Sequence, residues 1–212
     1  MELLGVCKVN KLQVQAVAAV VVIVFAGGIL LSGGKVQIQW LKFYSVAVFG
    51  ALVLLAFWDR FLWHLDPIQR LKSTPRDIRG TWKGELRSNW IPPGAESPLP
   101  HKTAYLVVRQ TASTTSIVLL TDESKSSSDL AKVTSIDGGA SLDYMYLNQP
   151  KLSVEHRSRM HHGSTSLAIT GRPPDCLEGR YWTDRGTQGE LAFNLHSDSY
   201  VENYEQAESL FR

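Results

Sequence analysis

Two long apolar runs near the start of the chain stand apart from the pattern that follows them. Residues 16–31 read AVAAVVVIVFAGGILL and residues 43–58 read FYSVAVFGALVLLAFW, and neither run contains a charged residue. With its flanking residues, each run reaches the roughly 20 residues that a helix needs to cross a bilayer. The short segment between them predicts a tight hairpin of two transmembrane helices, with spans at about 13–32 and 41–60.

The first apolar run has a second interpretation, as the core of a cleaved signal peptide. Lys8 and Lys11 precede it, as basic residues precede such cores. It is long for a signal-peptide core, however, and no A-x-A cleavage pattern follows it. We therefore expect a membrane segment over residues 1–65 that contains both spans, followed by a linker over 66–77.

From residue 78 to the end, the pattern changes to short runs rich in β-branched and aromatic residues. Turn signals such as DESKSSSD at 122–129, DGGA, NQP, HHG and GRPPD separate these runs about every ten residues. The predicted strands are 80–90, 103–110, 115–121, 132–137, 141–147, 151–158, 164–170, 178–183 and 189–195. This number of short strands predicts an all-β domain over 78–212. We expect an antiparallel eight-stranded barrel, because closure removes exposed sheet edges, with a sandwich as the alternative. The tail 200–211 predicts a terminal helix or turn.

The inward face of two predicted strands stays ambiguous. Both faces are apolar in LVVRQ at 106–110 and in IVLLTD at 117–122. A shift of one residue exchanges the two faces of a strand, so the pattern alone does not decide which side chains point inward.

Charge divides the chain in the same place as hydropathy. The net charge of +2 is the sum of +4 over the first 75 residues and −2 over the remaining 137. Basic residues precede the hairpin at Lys8 and Lys11 and follow it at Arg60 and Arg70, so that both ends are expected on the cytoplasmic side. The net negative charge of the rest argues against a DNA or RNA polymer as partner.

Catalytic signatures are absent from the sequence. It contains no Walker A, dinucleotide-binding or nucleophile-elbow motif, and its two cysteines, Cys7 and Cys176, fit a reducing compartment. A zinc site could be assembled on paper from His156, His161 and His162, but adjacent residues of a strand point to opposite faces. We expect no enzyme, no catalytic residue, no metal and no cofactor. A membrane-tethered hydrolase that uses His156 or Cys176 is one alternative.

Arginine and aromatic residues recur together on the predicted strands. Arginine pairs with phosphate and an aromatic ring stacks on a base, so this combination is typical of an anionic, base-bearing ligand. Tyr144 shares a strand face with Tyr146, as Tyr105 does with Arg109. The candidate ligand-binding residues are Arg87, Trp90, Tyr105, Arg109, Tyr144, Arg180 and Trp182.

Two motifs carry a resemblance to known proteins. Gly80-Thr81-Trp82 resembles the G-x-W that opens lipocalin-type barrels, in which the tryptophan plugs the closed end. Two spans, a short linker, RDIRGTWKGEL from Arg76 and the late GRYW at 179–182 resemble the two-transmembrane, β-strand-rich effectors associated with CD-NTases in bacterial CBASS antiphage systems.

The resemblance implies a lipocalin-like barrel in the cytoplasm, anchored in the bacterial inner membrane by two spans. It implies that the barrel binds a cyclic di- or trinucleotide made by a partner CD-NTase. Binding would drive homo-oligomerisation of the hairpins, disruption of the inner membrane and abortive-infection cell death. A scaffold with a filled barrel and no small ligand is the alternative, and a purely apolar interior would favour it.

Overall fold

The computed structural model describes residues 11–31, 40–71, 74–91, 96–97, 100–136 and 139–212. The chain divides into two compact units, Met1–Trp63 and His64–Arg212. The first unit corresponds to the predicted membrane segment and the second to the linker and the β domain.

Two helices that contact each other form the first unit. Helix α1 spans Lys11–Leu31, and α2 spans Trp40–Phe57 and continues into one π-helical turn at Trp58–Leu62. In the described part of the chain, one helical stretch, Ser45–Leu62, is long and apolar enough to cross a membrane, and the apolar stretch Ala18–Leu30 of α1 is shorter. Large apolar side chains such as those of Ile23 and Phe49 are exposed, and water disfavours this exposure.

A closed antiparallel barrel of eight strands forms the second unit, which confirms the predicted fold. Each strand pairs with the next, and β8 closes the barrel on β1. The short helix α3 at Asp66–Gln69 precedes the barrel and α4 at Tyr204–Leu210 follows it. The strands are β1 Gly80–Ser88, β2 Lys102–Gln110, β3 Thr115–Leu120, β4 Ser124–Ile136, β5 Gly139–Pro150, β6 His161–Gly171, β7 Pro174–Thr183 and β8 Gln188–Ser197.

The end of the barrel where the chain enters β1, here called the entry end, is filled by Trp82. This side chain is 1% exposed inside the barrel, and its Nε1 donates a hydrogen bond of 2.9 Å to the carbonyl of Ile78. A buried indole needs such a partner for its N–H. The tryptophan of the G-x-W motif therefore occupies the place that the resemblance implied.

The ambiguous faces of β2 and β3 are both buried, for different reasons. Leu106 and Ile117 point into the barrel core, whereas Tyr105 and Leu120 point outward and pack beneath the C-terminal segment that contains α4. Outward apolar positions there are covered by a helix instead of by water. The predicted terminal helix is confirmed, and Asn203 caps it by accepting a hydrogen bond of 2.9 Å from the Gln206 amide.

Three local predictions were wrong. The serine-rich stretch at 122–129, interpreted as a turn, is mostly the start of the long strand β4, and 151–158, interpreted as a strand, holds a 3-10 turn at Leu152–Val154. His161-His162-Gly163, interpreted as a hairpin turn, begins β6. For 122–129 and for the HHG motif, the ladder of neighbouring strands overrode the local turn propensity of the residues.

Candidate functional site

The interior of the barrel changes from apolar to polar towards the end opposite Trp82, here called the far end. Leu142 of β5 pairs with Leu167 of β6 in the middle of the barrel, and both are fully buried. One step further, Tyr144 pairs with Thr165, and Thr165 pairs with Tyr181 of β7. Strand alternation places these side chains on the same inward face as the leucines. The interior of the far end is therefore lined by hydroxyl groups.

The tyrosines of this layer are neutral. Burial raises the pKa of Tyr144 to about 12, and it also raises the pKa values of Tyr146 and Tyr181 above their ordinary range. The rings of Tyr144 and Tyr146 lie 5.9 Å apart, between their centroids. Each phenol keeps its proton at neutral pH and can donate a hydrogen bond.

Two buried hydroxyls in this layer can form further hydrogen bonds. Tyr144 is 4% exposed and Thr165 is 2% exposed, and in the described part of the chain neither hydroxyl has a partner beyond the other one. Most buried polar groups in folded proteins are hydrogen-bonded, so such groups call for an explanation. A hydroxyl, phosphate or base edge of a ligand could supply the partner.

A chain of polar side chains lies still closer to the far end. The Ser126 hydroxyl donates a hydrogen bond of 2.8 Å to Oδ1 of Asn148, whose Nδ2 lies 3.5 Å from Nδ1 of His161. That Nδ1 is 2.9 Å from the Arg159 carbonyl, so it carries the proton and donates to this oxygen, and it is a neighbour of the Asn148 amide without accepting a hydrogen bond from it. Burial lowers the pKa of His161, which favours the neutral imidazole.

Two glycines make room for the tyrosine rings. A Cβ at Gly163 would lie 2.4 Å from the ring and the hydroxyl of Tyr146, and one at Gly189 would lie 2.7 Å from the ring of Tyr181. The glycine of the HHG motif, Gly163 in β6, therefore leaves the space that the Tyr146 side chain occupies.

An open cavity of about 420 Å³ lies against β7 and β8 at the same end. The outward Arg180 and Trp182 line it together with the inward Tyr181. Trp182 is 52% exposed, and Arg180 forms no ion pair with any described carboxylate. A guanidinium and an indole are thus available to a ligand at this position.

The structure brings some candidate ligand residues together and separates others. Arg180 and Trp182 line one cavity, and Tyr144 lies in the interior of the same end.

Arg87 and Trp90 also lie towards the far end. Arg87 is exposed and forms an ion pair of 3.0 Å with Glu85, and Trp90 is exposed just beyond β1.

Tyr105 and Arg109 lie elsewhere. Tyr105 is covered by the C-terminal segment, where its ring packs against Phe211 at 5.9 Å. The Arg109 guanidinium sits 5.4 Å from the ring centroid of Tyr200.

Sequence reasoning missed Asn148, His161, Thr165 and Tyr181 as members of the far end. The period-two pattern of β5 could have found the first, because it continues from Leu142 through Tyr144 and Tyr146 to Asn148. The other three depend on which strands pair across the barrel, and a single sequence does not show that.

The residues of the proposed metal and hydrolase sites do not assemble. His161 points inward and His162 outward, as adjacent strand residues must. In the part of the chain that the structure describes, no group of three or more His, Cys, Asp or Glu side chains could hold a metal ion. The pKa of the Cys176 thiol is raised by burial and by the negative charges of Glu178 and Asp175. A nucleophilic cysteine instead needs a lowered pKa.

Comparison with known families agrees with this geometry. The model of the Cap15 cyclic dinucleotide receptor domain matches residues 73–195, more than half of the chain. The chain belongs to this family. The chain is also similar to "CD-NTase-associated protein 15" of Staphylococcus schleiferi, to which it is 29% identical over 170 residues, or 80% of this chain and 88% of the relative. The resemblance drawn from the GTWKG and GRYW motifs is confirmed.

The Cap15 match covers nearly the whole barrel. Residues 73–195 include every residue of the tyrosine layer, the Ser126–Asn148–His161 chain and the cavity beside Arg180 and Trp182. The matched region is thus the closed barrel, without α1, α2 or α4.

Proposed function

We propose that this chain is an effector of a CBASS antiphage system whose barrel binds a cyclic oligonucleotide at its far end. The observation that carries the proposal is the polar interior of this end, which lies within the segment matched by the cyclic dinucleotide receptor model. Tyr144 and Thr165 present neutral hydroxyls inside the barrel, and Arg180 and Trp182 lie nearby on its wall. Hydroxyl donors suit base edges and ribose, a guanidinium suits phosphate, and an indole suits base stacking.

The polar interior favours a receptor over a scaffold with a filled barrel. A scaffold needs only apolar packing, and buried polar groups without good partners cost free energy. A barrel that keeps the Tyr144 and Thr165 hydroxyls inside without other partners among the described residues is therefore better explained by a ligand. The raised pKa of Cys176 likewise weakens the hydrolase alternative.

We further propose that α1 and α2 are a two-span hairpin that places both chain ends in the cytoplasm. The apolar stretch Ser45–Leu62 and the exposed apolar side chains of both helices support membrane insertion. The basic residues on either side of the hairpin support this orientation. Two helices alone cannot enclose a pore, so membrane disruption requires several copies.

Ligand-driven assembly of these copies follows the rule for any population shift. A ligand moves an equilibrium only by its differential affinity for the two states. The cyclic nucleotide, made by a neighbouring CD-NTase, must therefore bind the oligomer more tightly than the monomer. The hairpins then gain effective concentration from the assembled barrels.

Ligand binding is tested by thermal unfolding of the full chain in detergent with cyclic di-AMP, cyclic di-GMP, cyclic GMP-AMP and a cyclic trinucleotide. We expect one of them, at about 100 times its Kd, to raise the barrel Tm by about 5–10 °C. The double variant R180Q/W182A should lose most of this shift, and R212Q, which removes an exposed charge on α4's side of the barrel, should keep it. No shift with any ligand would contradict the proposal.

The role of the membrane segment is tested in cells. Expression with a CD-NTase during phage infection should arrest growth with the intact chain and spare it with a chain that lacks residues 1–65. Equal arrest by the two chains would contradict the proposed role of the hairpin.

A further inference from the structure

A second and larger cleft lies at the entry end of the barrel, away from the tyrosine layer. Its volume is about 850 Å³. Three parts of the second unit line it: residues of 64–70 and 76–79 before β1, the turn between β6 and β7, and the end of β8 with the residues that follow it. About half of its lining residues lie outside the segment 73–195 matched by the receptor model.

Hydrogen bonds between distant parts of the chain hold the cleft together. The Arg172 guanidinium, in the turn between β6 and β7, donates a hydrogen bond of 2.6 Å to the backbone carbonyl of Gln69. Arg76 in return donates from its guanidinium to the carbonyl of Gly171. The Gln69 side chain donates a bond of 3.0 Å to the Pro75 carbonyl. The linker and the hairpin turn are therefore fastened to each other, and their arginines are positioned before any ligand arrives.

Among its arginine and aspartate side chains, the cleft has one more positive charge than negative charges. Its arginines are Arg70, Arg76, Arg79 and Arg172, and its carboxylates are Asp66, Asp77 and Asp198. Asp77 is occupied by a two-point contact with Arg79, at 2.8 Å for each N···O distance. Arg70 and Arg172 form no ion pair with any carboxylate in the described ranges.

The positive charges of Arg76 and Arg172 repel each other. Burial, and secondly the charge of Arg172, lower the pKa of Arg76. Both guanidinium groups are held in the cleft by hydrogen bonds to backbone carbonyls. An anion that contacts two such like charges stabilises them, and guanidinium groups bind phosphate with two parallel hydrogen bonds. The cleft is thus built for a phosphate-bearing anion.

The position of the cleft along the chain indicates where this phosphate comes from. Arg70 follows the end of the apolar stretch at Leu62 by eight residues, a reach of at most about 28 Å. Anionic headgroups at a membrane surface attract basic residues that lie next to a spanning helix. We propose that the entry-end cleft binds the phosphodiester of an anionic phospholipid, with Arg70 and Arg172 as its principal contacts. This inference rests on the membrane anchorage proposed above and not on the cyclic-nucleotide site.

The test uses the full chain, purified in detergent and incubated with equal amounts of phosphatidylglycerol and phosphatidylcholine. Native mass spectrometry counts the lipid that each protein retains. The variant is R70Q/R172Q, and the matched control K132Q/R212Q removes two exposed positive charges outside the cleft. We expect the wild type and the control to retain phosphatidylglycerol preferentially. The cleft variant should bind it about 25-fold more weakly, at about fivefold for each arginine.

Cyclic-dinucleotide binding is measured on the same three proteins by thermal shift. We expect this shift to be the same in the cleft variant as in the wild type. Retention of phosphatidylglycerol by R70Q/R172Q at the wild-type level would overturn it. A variant that keeps its lipid and loses its cyclic-dinucleotide shift would show that the soluble ligand occupies the cleft, which also overturns it. A chain that prefers phosphatidylglycerol through these arginines and binds no cyclic nucleotide would instead overturn the proposed receptor function alone.

Discussion

Replacing Tyr144 and Thr165 together tests whether their hydroxyls serve the fold or a ligand. The two side chains pair across β5 and β6, are almost fully buried, and have no hydrogen-bond partner beyond each other among the residues described. The variant Y144F/T165V removes both hydroxyls and keeps nearly the same shape. Replacement of both members of such a pair by apolar groups is close to neutral or stabilising. We expect the free energy of unfolding to change by less than about 0.5 kcal/mol.

Thr81 provides a matched control for the same chemical change. It is also fully buried, but its hydroxyl donates a hydrogen bond of 2.7 Å to the Ser199 carbonyl. T81V removes this bond and should cost about 1 kcal/mol, or a decrease in Tm of about 3 °C for a domain of this size. The contrast between Y144F/T165V and T81V therefore tests the effect of a hydrogen-bond partner within the fold, since both variants replace a buried threonine by valine.

Stability is measured by urea unfolding of the fragment 64–212, which forms a compact unit of its own. Affinity is then measured by calorimetric titration of each variant with the cyclic nucleotide that binds. Loss of one or two ligand hydrogen bonds should weaken binding by Y144F/T165V about 3- to 30-fold. A stability loss of about 2 kcal/mol or more in that variant would refute the reasoning, because it would show that the hydroxyls are satisfied within the fold. Unchanged affinity would refute the assignment of these groups to the ligand.

Three further predictions concern single positions. Gly163→Ala places a Cβ 2.4 Å from Tyr146, so urea unfolding should show a decrease of about 1–3 kcal/mol in the free energy of unfolding. The control Gly186→Asn changes a glycine with φ of 75° and nothing within 4 Å, and it should lower this free energy much less. Equal decreases in the two variants would contradict the packing argument. Because burial lowers the pKa of His161, the unfolded chain binds a proton there at a higher pH than the folded chain does, and stability should fall as the pH drops below about 6.5. His161→Asn should flatten this part of a curve of unfolding free energy against pH. A curve unchanged by the substitution would exclude His161 as the cause of the decrease. Asn203→Ala removes the cap of α4 and should lower the unfolding free energy by about 1 kcal/mol, with faster hydrogen exchange in α4; unchanged exchange in 204–210 would contradict a capping role.

The local pattern of the sequence was sufficient for the architecture. Two uncharged apolar runs, followed by short alternating runs with frequent turn signals, predicted helices and then a closed barrel, and the strands at 103–110 and 115–121 lie within a residue of the observed β2 and β3. Hydrophobic periodicity is a local property, so a single chain displays it. The family resemblance was also visible, because GTWKG and GRYW are contiguous motifs.

Pairing between distant strands decided the remaining features. The serine-rich stretch joins β4 because β3 and β5 supply its hydrogen bonds, although serine favours turns. Tyr105 and Arg109 share a face as the period required, but a C-terminal segment nearly 100 residues later covers the first of them.

The sequence by itself determined which side chains alternate along each strand; only the tertiary structure decided which of them meet. Tyr144 was identifiable as a candidate from its own strand, whereas its partner Thr165 and the far-end cavity follow from strand register across the barrel. The approach of Arg172 to the linker before β1 is likewise a contact over 103 residues. Such contacts join groups that lie far apart in the chain, and they form only when the barrel closes. The local pattern of residues therefore does not predict them.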